Sequence, residues 1–466
     1  MIRQPLRNML SGVAEPFLFL VVLTCCLPDA AVCQPSGGSD LQLPFELRRL
    51  AFGSCAKQKY VRQPIWDVVA ATQPDAFIWT GDAHYANCSS VACLREGYAK
   101  QSSVPEYAAF VGSKDADGRP VVGGMWDDHD YGVNDGGQFY SLKNTSQSLF
   151  LDFIGVPTDS PRRSRQGVYS SLSFGTPPHK TKLLMLDTRF FRDWPLLPSV
   201  GSIRLPGSAF IGALVRFSLA FFGFGEGYSG DVLGEDQWMW LEEQLTHSDA
   251  AVHVILSSIQ IMTMCAVFES WGHFPIARQR LFSLLQRTKP KGLIFISGDV
   301  HFGEAIGKSS GVVEVTSSGL THSCATATLV GPLCEPLLVR CPHMRLDHNA
   351  TAYYVRENFG LLDVRFEPPD APTPKRVHLH AAVLDEDGRE RITANVTRSL
   401  SDDPSVPLRY LDEVPSLIRH TSPVTKGAVF AVLGLVMLVG GQVFVVLCVS
   451  ILRLCSGKKK GKRKTG

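Results

Sequence analysis

Two aspartates, Asp82 and Asp299, each follow an apolar run of strand type, Ala76–Thr80 and Leu293–Ser297, with a single glycine between. A carboxylate held at the carboxyl end of a strand gives up hydration that a cation can replace. In sheets covered by helices, the crevice beyond those ends is where ligands bind. Two further strand ends are built alike, Gly53-Ser54-Cys55 and Trp126-Asp127-Asp128-His129-Asp130. Together with Gly81-Asp82-Ala83-His84-Tyr85 and Gly298-Asp299-Val300-His301, they offer carboxylate, imidazole, phenol and thiol. Singly, each has a plain reading: Cys55 as a small buried residue or half-cystine, His129 as a capped core histidine, residues 127–130 as a solvated turn. Jointly, so many acids converging on one edge would repel one another unless cations sat among them.

The elements that must carry these residues follow from short β-branched and aromatic runs, each succeeded by a Gly-rich turn and a helical stretch. Strands are expected near residues 50–52, 76–80, 120–125, 181–186, 253–256, 293–297 and 312–315, and helices at 64–71, 234–245 and 277–287. The alternation is α/β. Irregular spacing and long insertions at 160–178, 195–230 and 321–349 favour two packed mixed β-sheets flanked by helices over a regular barrel. Strand-like runs at 377–384 and 391–396 predict an edge hairpin that closes the domain near residue 398.

Six segments occur in a characteristic order: Phe52-Gly53-Ser54-Cys55, Gly81-Asp82-x-x-Tyr85, Trp126-Asp127-Asp128-His129-Asp130, Leu186-Asp187-Thr188-Arg189, Glu269 through Pro275 followed by Arg278, and Ser297-Gly298-Asp299-Val300-His301. Over roughly residues 48–320 the set resembles the PhoD-like alkaline phosphatases, a branch of the calcineurin-like metallophosphoesterases that includes purple acid phosphatases. The resemblance implies a metallophosphoesterase-like sandwich around a dinuclear centre. Carried across, Cys55, Tyr85 and His301 would bind one metal, Asp82 would bridge, and Asp128 and Asp299 would bind the second. Thiolate and phenolate suit trivalent iron and carboxylate oxygens suit harder cations, so two ions are expected, Fe with Ca, Mn, Mg or Zn.

The implied activity is metal-dependent hydrolysis of phosphate esters by a metal-bridging hydroxide. Phosphodiesterase or phospholipase-type activity, or a catalytically silent glycosylated surface domain, are the alternatives. His129, oriented by Asp130, is the candidate general acid. Arg189 is the candidate for pairing with phosphoryl oxygens, a structural salt bridge to Asp187 or Asp193 being the other reading. Asn134 is a candidate substrate contact, beside Asp135, unless both only shape an Asn-Asp-Gly turn. The chain departs from the wider superfamily at Ser257 to Gln260, where a histidine is common, and at Asp299, which replaces the first histidine of Gly-His-x-His. Both changes remove nitrogen ligands. His84, His273 and His322 receive no role.

The chain's ends set its context. Residues 1–32 have the basic, apolar and small-residue order of a secretory signal peptide. Residues 427–452 hold no charge over 26 positions, enough to span a bilayer as one C-terminal transmembrane helix. A basic tail follows at 453–466, which places a luminal or extracellular catalytic domain at 33–398 and a juxtamembrane stalk at 399–426, in single-pass type I topology. Between Cys33 and Lys426 there are 37 basic residues against 42 acidic, which excludes a nucleic-acid-binding surface. Four sequons, at Asn87, Asn144, Asn349 and Asn395, and cysteine groups at Cys88/Cys93 and Cys324/Cys334/Cys341 agree with an oxidising secretory compartment. The endoplasmic reticulum, through the lysines of Lys462-Arg463-Lys464-Thr465-Gly466, or the cell surface is the expected membrane. Cys448 and Cys455 are open to palmitoylation or serve as apolar filler. The aromatic-rich stretch 209–228 reads as buried packing, or else as a hydrophobic lid or lipid-facing patch.

Overall fold

The computed structural model describes residues 41–86, 90–196, 223–263, 267–307, 311–326, 353–368 and 374–400, with single positions between 211 and 220, at 265, between 331 and 335, and at 427 and 431. The expected signal peptide and basic tail, all but the first two residues of the stalk, all but two positions of the membrane span, and Asn87, Cys88, Asn349 and Cys341 lie outside these residues. Among the described residues, no helix is long and apolar enough to cross a membrane.

The strands in chain order are β1 (Leu41–Leu43), β2 (Arg49–Gly53), β3 (Ala76–Thr80), β4 (Val121–Met125), β5 (Ser170–Phe174), β6 (Thr181–Met185), β7 (Val252–Ser257), β8 (Ile294–Ser297), β9 (Gly303–Gly307), β10 (Val313–Thr316), β11 (Tyr353–Tyr354), β12 (Asn358–Glu367), β13 (Arg376–Asp385) and β14 (Glu390–Ser399). They form two mixed sheets, one of eight strands in the order β1-β5-β6-β7-β8-β10-β9-β11 and one of six in the order β14-β13-β12-β2-β3-β4. In the six-stranded sheet β2, β3 and β4 are parallel. In the other, β6, β7, β8 and β10 are parallel. Each sheet therefore presents a set of carboxyl ends along one edge.

Period-two alternation explains how these strands are buried on both faces. Phe52, Ile78, Leu183, Met185, Val254, Leu256, Ile294 and Ile296 meet in one core shared by both sheets. The alternate positions of the six-stranded sheet, Ala51, Phe77 and Trp79, pack with Trp66, Tyr107 and Phe110 of the helices Ile65–Ala71 and Pro105–Gly112. Those of the eight-stranded sheet, Leu184, Ile255 and Phe295, pack with residues of the helices Glu235–Thr246 and Pro275–Thr288.

Two expectations need correction. The stretch 160–178 is not wholly an insertion: it contains β5, fully buried and antiparallel to β6. The serines of Ser170-Ser171-Leu172-Ser173-Phe174 mask its pattern, because only Leu172 and Phe174 face the shared core. The hairpin at the domain's end is real, and β14 is an edge strand, but β12 joins it to β2 through a ten-residue strand that sequence reading did not assign.

Candidate metal centre

The strand ends of the two sheets face each other. Leu320, in the loop after β10, donates its N–H to the Ser54 carbonyl at 3.0 Å, and Thr321 donates to the Cys55 carbonyl at 3.2 Å. A Cβ added at Gly298 would stand 2.6 Å from the Thr80 carbonyl oxygen, so the two sheets approach closely enough there to require glycine.

At this junction the structure gathers most of the expected residues. Tyr85 Oη donates to Asp82 Oδ2 at 2.7 Å, and Cys55 Sγ lies 3.7 Å from the same oxygen and 3.7 Å from the Asp299 carbonyl. Carboxylate oxygens of Asp82 and Asp128 and a ring nitrogen of His129 lie within 4.8 Å of one another. The His129 ring rests against that of Tyr85, centroids 4.1 Å apart, and the His301 ring is 6.1 Å from Tyr85. Asp128 Oδ2 accepts from the Asp135 N–H at 2.8 Å. Asn134, half-buried, sits in the turn between them and forms no side-chain hydrogen bond among the described residues.

The backbone here is bent unusually. Seven described non-glycine residues have positive φ, and they include Cys55 (64°), Asp82 (50°), Asp135 (55°), Asp299 (71°) and His301 (63°). Such conformations persist where surrounding structure over-determines them, and they cluster at functional sites.

The electrostatics follow from burial and crowding. Desolvation, then the neighbouring Asp128, Asp127 and Asp130, hold the Asp82 carboxyl well above the usual range. Desolvation, then Asp127 and Asp128, do the same to Asp299. Asp128 is different: burial pushes it up, but His129 and Arg189 bring it below its ordinary value. Burial, followed by the charge of Asp82, raises both the Cys55 thiol and the Tyr85 phenol far enough that each keeps its proton when no cation is near. Burial lowers His301 to about 4, which leaves a neutral imidazole with a lone pair to give.

These residues fit metal ions. Buried Asp128 Oδ1 and His301 Nδ1 have no hydrogen-bond partner, and the acids repel in the absence of positive charge. A thiol, a phenol, an imidazole and carboxylates form a donor set that cations would complete.

Two expected relationships differ. Asp130 does not orient His129: its carboxylate accepts from the Ala83 N–H at 2.9 Å and from the Asp127 N–H at 3.1 Å, closing a capping box on the helix Asp128–Tyr131. Spacing alone could not separate an N3 cap from a partner for the adjacent histidine. Arg189 is an ion-pairing residue, but with neither Asp187 nor Asp193. Fully buried, it places Nε 2.6 Å from Asp127 Oδ1 and Nη1 2.9 Å from Glu269 Oε2, leaving Nη2 without a partner.

Sequence reasoning also passed over several participants. Asp127 accepts from Ser258 Oγ at 2.6 Å, so the serine standing where a histidine is common supports the acid behind the site. Glu269 pairs with Arg192 as well as Arg189, and its carboxylate gathers with those of Asp128 and Asp135. His322 packs on His301, ring centroids 4.4 Å apart, and lies 5.2 Å from Tyr85. Its one sequence signal is its place just beyond β10, the strand beside β8. His84 is buried against Tyr98, and His273 meets the Phe268 carbonyl. Of the sequons, Asn144 and Asn395 are exposed. Cys324 pairs with Cys334, and Cys93 is disulfide-bonded.

Two mixed sheets with helices outside and a cation-demanding cluster between their carboxyl ends define a metallophosphoesterase. The chain belongs to the PhoD-like phosphatase family, whose model matches residues 123–368, more than half of its length. That match takes in Asp128, His129, Arg189, Asp299 and His301, while Cys55, Asp82 and Tyr85 precede it. Among solved structures the chain is similar to one described as the structure of PhoD, with TM-score 0.47 and 14% identity over 79% of this chain and 73% of that one. It is also similar to a dimetal phosphatase from Danio rerio, with TM-score 0.36 and 12% identity over 76% of this chain and all of that one. Among curated proteins no significant match is found. The protein is therefore a hydrolase that acts on phosphate esters with the help of metal ions.

Proposed function

We propose that this protein is a membrane-anchored phosphatase of the secretory pathway, with Cys55, Tyr85 and His301 holding one cation, Asp82 shared, and Asp128 and Asp299 holding a second. The observation that carries the reading is the meeting of Cys55, Asp82, Tyr85, Asp128 and His129 at one junction of two sheets, on backbone bent at Cys55, Asp82, Asp299 and His301. The anionic, polarisable thiolate and phenolate favour trivalent iron at the first position, and the two aspartates favour calcium, manganese, magnesium or zinc at the second. Bound there, two cations would supply Lewis acidity and a nucleophile at neutral pH.

The chain's own groups divide the remaining work. The His129 ring, tilted against that of Tyr85 with Nε2 3.9 Å from Asp128 Oδ1, retains some exposure and can pass a proton from Nε2 to the leaving oxygen. Asp130 fixes the turn that presents Asp128 and His129. Arg189, wedged between Asp127 and Glu269 with Nη2 unpartnered, holds the charge of those two acids in place. Asn134 offers an unengaged amide to the substrate.

The anchor reading adds an orientation. β14 pairs antiparallel with β13 and runs away from the strand ends that carry the site, so it ends at the edge opposite the site. In the proposed topology sugars at the exposed Asn144 and Asn395 would lie on the luminal side.

The test is hydrolysis by the detergent-solubilised full chain. Release from p-nitrophenyl phosphate or bis(p-nitrophenyl) phosphate, abolished by chelation and restored by metal, supports the reading. No release with Fe, Ca, Mn, Mg or Zn supplied would sink it.

A further inference from the structure

Most of the cations around the site are answered by carboxylates among the described residues. Arg189 and Arg192 are buried and paired with carboxylates, and Arg216 reaches Asp135 at 3.4 Å. Lys57 is different. It is half-buried, its Nζ stands 5.8 Å from the centroid of the Tyr85 ring, and among the described residues its ammonium has neither an ion pair nor a hydrogen bond.

Nor is it a loose surface lysine. Its N–H donates to Thr321 Oγ1 at 2.7 Å, and its carbonyl accepts from the Tyr60 N–H at 3.1 Å and Gln63 Nε2 at 3.4 Å. Gln63 is buried in turn, tied to Gln101 at 3.1 Å and to Trp66 Nε1 at 2.9 Å. The loop that delivers Cys55 thus delivers Lys57 as well, and the loop after β10 clamps both. His322, which follows Thr321, lies on the same side against Tyr85 and His301.

An ammonium that has lost part of its water without gaining a carboxylate is stabilised when an anion arrives. At pH 8 a phosphomonoester carries close to two negative charges, since its second ionisation lies near pH 6. A phosphodiester carries one. A fixed positive charge beside the centre therefore favours the monoester, through a long-range interaction that grows with ligand charge.

We propose that Lys57 is a specificity-determining residue that selects dianionic phosphomonoesters over monoanionic phosphodiesters. This rests on the hydrolase reading above.

The experiment compares the full-length, metal-loaded protein with Lys57→Met and Lys57→Arg at pH 8. It reads kcat/KM for p-nitrophenyl phosphate and bis(p-nitrophenyl) phosphate, the dissociation constant of inorganic phosphate, and metal content. Lys57→Met is expected to lower monoester kcat/KM by about thirtyfold and diester kcat/KM by no more than about threefold, and to weaken phosphate binding about tenfold. Lys57→Arg should restore most of the discrimination, and metal content should stay constant. An equal fall for both esters, or loss of metal from Lys57→Met, overturns the proposal. If the wild type cleaves neither ester, the hydrolase reading fails separately: Lys57-dependent binding of phosphate would still support the anion site, and Lys57-independent binding would overturn it.

Discussion

Tyr85 Oη donates a hydrogen bond to Asp82 Oδ2 at 2.7 Å, joining two residues three apart in the chain at the carboxyl end of β3. The phenol keeps its proton because burial and the adjacent carboxylate both oppose ionisation. A cation held by both would reverse that preference, because it would favour both anions at once. Tyr85→Phe preserves the ring against His129 and removes only the oxygen. It should reduce bound metal by about tenfold or more and turnover by about a hundredfold, with a loss of roughly 1 kcal/mol in metal-free stability. Elemental analysis on the sample used for kinetics checks this, and unchanged metal content would remove Tyr85 from the ligand set.

Asp82→Asn tests the crowding directly, and its two effects have opposite signs. Without metal, the Asp82 carboxyl is destabilised by burial and by Asp128, Asp127 and Asp130, so a neutral amide of the same shape should raise stability by about 1–2 kcal/mol. With metal, the same change would remove the anionic oxygen that Asp82 is proposed to share, and activity should fall by about a thousandfold or more. Thermal melts with chelator and with added metal should cross over between wild type and variant. A variant less stable in both conditions would argue against a site strained by its own charge.

The residues that proved legible were those whose neighbours along the chain determine their environment. The run Ala76–Thr80 is apolar on both faces and β-rich, so it could only be an interior strand, and Asp82 after it could only stand at the strand's end. The same logic placed Asp128, Asp299 and Cys55. What remained hidden depends on partners distant in sequence. The ion pairs of Arg189 reach 62 residues to Asp127 and 80 to Glu269, and no local pattern announces them. His322 gains its position from hydrogen bonds linking the loop after β10 to Ser54 and Cys55. β5 is obscured by serines, whose polar side chains hide the hydrophobic alternation of a buried strand. Asp130 was misread because a cap and a catalytic partner share the same spacing.

Arg189 separates a structural from a substrate-binding role. With its side chain wholly buried and two nitrogens committed to Asp127 and Glu269, its removal leaves Asp127 without a cationic partner and Glu269 with Arg192 alone. Arg189→Met should therefore cost about 3–5 kcal/mol in urea unfolding of the full chain. Arg189→Lys should recover little of this, because one ammonium cannot reproduce the fork that spans both carboxylates. A variant of near-normal stability whose KM alone rises would instead mark Arg189 as a direct contact to phosphate.

His253, on β7 and remote from the centre, sets a pH window for stability. Burial is the main reason its imidazole falls to about 4; Nδ1 meets the Lys291 carbonyl at 2.8 Å and Nε2 meets Ser248 Oγ at 2.7 Å. These partners assign the neutral tautomer, with Nδ1–H donating and Nε2 accepting from the hydroxyl. The groups around it are Lys182, Lys180 and Asp249. In the unfolded chain the ring takes up a proton near pH 6.5, whereas in the folded protein it does so only near 4. Between those values the unfolded state binds more protons. The stabilisation is thus fully present above about pH 6.5 and is lost as pH falls toward 4, to an extent on the order of 3 kcal/mol. His253→Gln, which cannot titrate, should be less stable than wild type at pH 7 but should lose less stability between pH 6.5 and 4.5. Urea midpoints across that range for both proteins check the difference, which cancels the contribution of every other group. Midpoints that fall in parallel would show that His253 is already protonated in the folded state.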